Sequence, residues 1–217
     1  GTLAAAVALR LGYHLLDSGA LYRLVGLAAE RAGLSTAEDA LDQPDHARRM
    51  GELAAGMSVR FTGGQVFLDG EDVTELLRSE ASGMAASRVS AVPQVRHALL
   101  TFQHGFRQLP GLVADGRDMG TVIFPGAALK VFLTASAAQR ADRRYKQLIS
   151  KGIAANIDDL LADLVRRDVR DSSRAHAPLK PAEDALELDN SGLSIEESVE
   201  QVLNWWQGKT AFPGSPA

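Results

Sequence analysis

Two stretches of this chain end apolar runs in the residue types that grip anions. Leu112-Val113-Ala114 runs into Asp115-Gly116-Arg117-Asp118, where two carboxylates flank a glycine and a guanidinium. Leu15-Leu16 runs in the same way into Asp17-Ser18-Gly19, and Arg23 follows five residues beyond Ser18. In an open α/β sheet, ligands sit beyond the carboxyl ends of the strands, so both stretches put charge where a ligand would lie. Paired acids and arginines suit an anionic, hydrogen-bonding ligand. Arg23 and Arg117 could together clamp a phosphate monoester, because an arginine fork takes phosphate oxygens in pairs. The alternative is a pair of surface turns with ordinary salt bridges.

Seven further arginines, Arg140, Arg143, Arg144, Arg166, Arg167, Arg170 and Arg174, crowd into residues 140 to 174. The first three are spaced i, i+3, i+4, so a helix gathers them on one side. The other four are interleaved with Asp168 and Asp171. A mobile arm bearing such a cluster could close on a polyphosphate and stabilise charge as a phosphoryl group moves. A solvated helix laced with Asp–Arg pairs, each contributing about 0.3–0.5 kcal/mol, is the competing account.

Periodicity and punctuation indicate the elements that must carry these residues. Leu3, Val7 and Leu11 recur as on one helical face, with Gly12 as a stop. Tyr13 to Leu16 reads as a short buried strand. Asp17 or Ser18 then caps a helix that starts near Ala20, carries Leu21, Leu24, Val25 and Ala28 inward, and ends at Gly33. Ser35 and Glu38 have capping-box spacing, and a helix is expected over about 45–55. Residues 57–62 and 65–68 alternate around Gly63-Gly64, and Asp69-Gly70 marks another turn, so an antiparallel insert is expected over 57–75. Helices over 79–91 and 94–108 flank Pro93, the second with Val95, Leu99, Phe102 and Phe106 on one stripe. Strands follow at 112–115, 129–133 and 186–188. Ser136 with Gln139 caps the helix after the second of these. Ser194 with Glu197 opens a closing helix carrying Ile195, Val199, Val202, Leu203 and Trp206, and a frayed tail is expected from Gly208. Strands alternating with helices imply an α/β fold with a mostly parallel sheet, helices on both faces.

Composition bounds the chemistry. The 217 residues can bury a sizeable core as one domain, and 46% hydrophobic with 23% charged content is ordinary for a globular chain. Absence of cysteine excludes disulfides, thiolate metal sites and a cysteine nucleophile. No apolar run has the length of a membrane span and no signal-peptide pattern opens the chain, so a cytoplasmic protein without a membrane partner is the expectation. The net charge of −4 argues against nucleic-acid binding by the whole surface. A monomer is expected. Trp205-Trp206 could form a sticky patch for a protein scaffold, although one of them is better read as core.

Four long stretches, in order, resemble the bacterial cytidylate kinase family: residues 15–23, Phe67-Leu68-Asp69-Gly70-Glu71-Asp72-Val73-Thr74, residues 114–125, and Arg167-Asp168-Val169-Arg170-Asp171-Ser172-Ser173-Arg174. The resemblance spans residues 1–207. It implies a P-loop nucleoside-monophosphate kinase fold, with a CMP-binding insert near 34–110, an arginine-rich lid near 138–175 and a tail over 208–217. It further implies transfer of the γ-phosphoryl of ATP to CMP or dCMP, with Mg²⁺. By matching motif, Ser18, Arg23, Ser87, Arg96, Arg117, Asp118, Arg167, Asp171 and Arg174 would surround CMP. Arg23, Arg117 and Arg174 would hold its phosphate, Arg167 and Asp171 its sugar, and Ser87, Arg96 and Asp118 its base. Arg117, Arg170, Arg174 and Asp17 would act at the reacting phosphates, with Asp17 near the metal shell or the incoming phosphate. Gly1, Thr2, Arg140 and Arg144 would serve ATP. Mg²⁺ would be held mainly by the ATP phosphates, with Thr2 as its candidate protein ligand.

The base assignment has a physical counterpart. Cytosine offers an amine at N4 and acceptors at N3 and O2, which suit a carboxylate and an arginine. Uracil reverses the pattern at positions 3 and 4. Gly1-Thr2 matches the last two residues of the family's phosphate-binding loop, so a strand, a glycine-rich turn and a lysine are expected upstream. Without that loop the chain alone is expected to be close to inactive. The competing functions are a kinase for another monophosphate, such as UMP or AMP, and a non-catalytic CMP-binding module.

Overall fold

The computed structural model describes residues 1–62, 64–150, 152–173, 175 and 177–210. The chain forms two compact units. The first holds Gly1–Tyr13, Arg117–Ser173 and the described residues from Pro178 onward; the second holds His14–Gly116.

In the second unit, β1 (His14–Asp17) pairs in parallel with β5 (Leu112–Asp115), with Asp17 opposite Asp115. The two acid-bearing strand ends are therefore in register. β1 was expected to be buried along its length, but only Leu16 is fully enclosed and Leu15 is 37% exposed. Helix α2 (Ser18–Arg31) follows at once, capped by Asp17, whose Oδ1 accepts from the Ala20 amide at 3.1 Å. A Cβ on Gly19 would lie 3.1 Å from that oxygen, so glycine leaves the capping carboxylate room. Leu21, Leu24, Val25 and Ala28 are buried on the expected face.

The short helix α3 (Glu38–Leu41) lacks the capping box expected from Ser35 and Glu38: Ala37 is its N-cap, with no side-chain bond. Ser35 Oγ instead accepts from the Ala37 amide, a local turn that competes with capping. α4 (Pro44–Gly56) packs on α6 (Pro93–Gly105), and α2 packs on α5 (Glu80–Val89). Strands β2 (Val59–Thr62), β3 (Gln65–Leu68) and β4 (Glu71–Asp72) form the expected antiparallel insert. Its second turn is built from Asp69 and Gly70, with φ of 52° and 88°, the left-handed pair that a two-residue hairpin turn needs. On α6 the buried line runs Val95, Leu99, Gln103 rather than through Phe102 and Phe106. The i+4 step from Leu99 falls on Gln103, while Phe106 lies just past the helix end and meets Phe61 and Phe102 edge-on.

In the first unit, α1 (Thr2–Leu11) packs on α9 (Ile195–Thr210), and Tyr13 meets Trp206 edge-on. β6 (Val131–Thr134) and β7 (Leu186–Asp189) make a second parallel pair. The parallel sheet expected from the alternation of elements is thus present as two pairs, one in each unit. α7 (Ala137–Ser150) and α8 (Ile157–Ser173) pack together and carry the arginine cluster. α9 continues through Gly208, where a frayed tail was expected to begin. Residues 211–217 lie outside the described residues.

The start of α9 is a reciprocal capping box. The Glu197 amide donates to Ser194 Oγ at 3.1 Å, and the Ser194 amide donates to Glu197 Oε2 at 2.8 Å. These bonds hold the Glu197 carboxyl below its usual range. A folded-state value below the unfolded one stabilises above the ordinary glutamate range and is lost as pH falls through the depressed value. Ser194→Ala should therefore cost about 1 kcal/mol in urea melts at neutral pH. Glu197→Gln should be less stable than the parent at neutral pH, with the gap closing in acid.

Candidate functional site

In the second unit β1 feeds α2, and Ser18, the first residue of that helix, is buried. Arg23 lies along the same helix and reaches the start of α5. Its Nη1 donates to the carbonyls of Leu77, at 2.5 Å, and Ser79, at 3.0 Å. Ser87 is buried on α5, and its carbonyl accepts from Ser90 Oγ at 3.0 Å. Arg96, in the first turn of α6, donates through Nη1 to the Ser90 carbonyl at 3.0 Å and lies 5.9 Å from the centre of the Tyr22 ring. Asp17, Ser18, Arg23, Ser87 and Arg96 thus belong to one neighbourhood of three helices. Tyr22 and Ser90 join it unforeseen. The only sequence signal for Ser90 is its three-residue spacing from Ser87.

The first unit gathers the other group around a buried acid. Asp171, on α8 and 2% exposed, accepts from Arg117 Nε at 2.8 Å, with Arg167 Nε at 3.8 Å. The two Nη atoms of Arg117 have no partner among the described residues, and its side chain is 38% exposed. Anchoring an arginine through Nε aims its terminal fork outward as a two-pronged donor. Asp118 is 3% exposed. It precedes a π-helical turn over Met119–Ile123, in which its carbonyl receives the amides of Thr121, Val122 and Ile123 at 3.3, 2.8 and 3.2 Å. Turns of this kind are uncommon and concentrate at functional sites. No periodicity or turn signal in residues 118–123 foretells it. Gly120 fits within the turn because the Lys130 stem crosses it: a Cβ there would meet Lys130 Cδ at 3.2 Å. The Lys130 ammonium is held 2.8 Å from Asp184.

The remaining arginines have separate surroundings. Arg140 forms a two-pronged pair with Asp168, Nη1 to Oδ1 at 3.0 Å and Nη2 to Oδ2 closer still, which ties α7 to α8. Arg143 donates to the Asn190 carbonyl at 2.6 Å and to Asn190 Oδ1 at 3.2 Å. It thereby links α7 to the carboxyl end of β7. Arg144 donates to Gln147 at 2.7 Å. Arg170 lies half-buried on α8, beside Asp171 in sequence. Gly1 and Thr2 stand at the N-terminus of α1, an end whose amides favour phosphate oxygens. Arg174 lies outside the described residues.

An α/β chain whose paired parallel strands β1 and β5 end in facing aspartates, with an antiparallel insert between them in sequence, fits the nucleotide kinase class. The sequence profile of cytidylate kinase matches residues 1–207. A cytidylate kinase of Cupriavidus necator is 56% identical over 207 residues, covering 95% of this chain and 89% of the relative. One from Burkholderia mallei is 56% identical over 95% of this chain and 87% of its own length. One from Polynucleobacter asymbioticus is 53% identical over 97% of this chain and 92% of its own. The chain belongs to the cytidylate kinase family. No helix among the described residues is long and apolar enough to cross a membrane.

Removing Arg117 would take from the buried Asp171 carboxylate its 2.8 Å contact with the Arg117 guanidinium. Arg117→Ala should lower stability by about 1–3 kcal/mol in chemical denaturation, and Asp171→Asn in the same background should restore part of that loss.

Proposed function

We propose that this chain transfers the γ-phosphoryl group of ATP to CMP and dCMP, giving CDP and dCDP. The observation that carries the reading is Arg117, fixed through Nε by buried Asp171 with its terminal fork unpartnered among the described residues, next in sequence to buried Asp118. An outward fork of this kind suits a phosphate monoester, and Asp118 suits the N4 amine of cytosine. Arg23 and Arg174 complete the phosphate clamp. Arg167 and Asp171 contact the sugar; Ser18, Ser87 and Arg96 border the nucleoside. Residues 34–110 act as the CMP-binding insert and 138–175 as the lid, in a monomer working in the cytoplasm.

Phosphoryl transfer needs alignment and charge stabilisation more than a base of unusual pKa. An oxygen of the CMP phosphate attacks the γ-phosphorus in line as the bond to the ADP oxygen breaks. Arg117, Arg170 and Arg174 offset the charge on the moving group, and Asp17 borders it. Gly1, Thr2, Arg140 and Arg144 serve ATP, which arrives with Mg²⁺. Among the described residues no three His, Asp or Glu side chains gather as a metal cage. A magnesium ion held by phosphates, waters and one protein oxygen such as Thr2 Oγ1 needs none. Closure of the lid excludes water that would otherwise hydrolyse ATP.

A coupled assay of the intact protein comparing CMP, UMP and AMP tests the reading: CMP should be strongly preferred, and binding of CMP without ATP turnover by that protein would defeat it. Arg117→Ala should lower kcat/KM for CMP by about 10²–10³-fold. Asp118→Ala should erode the preference for CMP over UMP by about tenfold or more; an unchanged preference would remove Asp118 from base recognition.

A further inference from the structure

The guanidinium of Arg23 lies against the first turn of α5 at the one position there that has no side chain. A Cβ on Gly83 would stand 3.0 Å from Arg23 Nη2 and 3.5 Å from its Cζ and Nη1. Gly83 is buried, and its own amide donates to the Ser79 carbonyl at 3.2 Å. That carbonyl is also a receiver of Arg23 Nη1. Gly83 has no need of a left-handed backbone, since it sits inside a regular helix. Glycine is the poorest helix former after proline, so its presence here answers to a contact rather than to conformation.

We infer that Gly83 is a positioning residue for CMP binding. Its missing side chain sets the depth at which the Arg23 guanidinium rests on α5, and so where that fork meets the CMP phosphate. The inference rests on the phosphate-binding reading of Arg23. A methyl at position 83 would push the guanidinium away by a few tenths of an ångström while improving the helix. The two effects have opposite signs, which separates positioning from packing. Gly26 on α2 is the natural contrast: a Cβ there would meet the Ala85 Cβ at 3.0 Å, part of the body of the α2–α5 contact rather than an arginine tip.

The test is steady-state kinetics and thermal melting of the intact protein carrying Gly83→Ala, Gly26→Ala, Arg23→Ala and the Gly83→Ala/Arg23→Ala pair. Gly83→Ala should raise KM for CMP about 3–10-fold, well short of the roughly 10²-fold cost of a full ångström of misplacement, with KM for ATP unchanged and Tm equal or higher. Gly26→Ala should lower Tm with a smaller effect on KM for CMP. In the Arg23→Ala background, adding Gly83→Ala should change KM for CMP no further. An equal rise in that background, or a rise accompanied by a lower Tm, would overturn the inference and leave the role of Arg23 intact. If Arg23→Ala alone leaves KM for CMP unchanged, the phosphate-binding reading of Arg23 fails, and the inference with it.

Discussion

The placing of Arg117 in the first unit depends on a buried carboxylate, that of Asp171. Asp171 is almost wholly out of water, and a buried carboxylate is tolerable only when cations and hydrogen bonds surround it. Arg117 supplies the close contact and Arg167 a looser one. Arg117 follows the strand β5 in sequence, Arg167 lies one helical turn before Asp171, and the acid itself belongs to α8. A single carboxylate thus orders side chains from two distant parts of the sequence. It also sets the attitude of Arg117, because an arginine held by Nε has its planar fork turned away from the anchor. Loss of that acid would leave Arg117 its charge and remove its direction.

A second constraint operates at the helix starts. Asp17 spends one oxygen on capping α2, and Gly19 leaves room for it. The carbonyl of Asp118 collects three amides in its π-turn. In both cases an acidic residue of the motif has a structural bond as well as its proposed chemical one, and the bond limits where the side chain can stand. Motifs of this density leave few positions that can change independently.

Much of this was legible in the sequence wherever the controlling interaction is local. Asp17 as a cap, the inward face of α2, the Asp69-Gly70 turn and the Ser194–Glu197 box all depend on residues within a few positions of each other. The elements that escaped depend on distance in the chain or on competition between close alternatives. Ser35 found a nearer amide than the one its spacing suggested. Phe102 yielded the buried line to Gln103 because the i+4 register continued from Leu99. The pairing of Arg140 with Asp168 and the place of Gly83 beneath Arg23 join residues 28 and 60 positions apart in the chain, and no periodicity encodes them. The candidate residues themselves were found by type and motif; their partners were not.

The bond between Arg143 and Asn190 has a mechanical corollary. Two donors of one guanidinium fasten the early part of α7 to the chain just after β7, and Arg140 fastens the same stretch to the late part of α8. The helical pair is therefore clamped at its root. A swing of this arm that keeps those bonds must grow with distance from the clamp and be largest around Gly152, at the far end. The arginines nearest the root would keep almost constant places throughout such a stroke, acting as a fulcrum while the tip does the travelling.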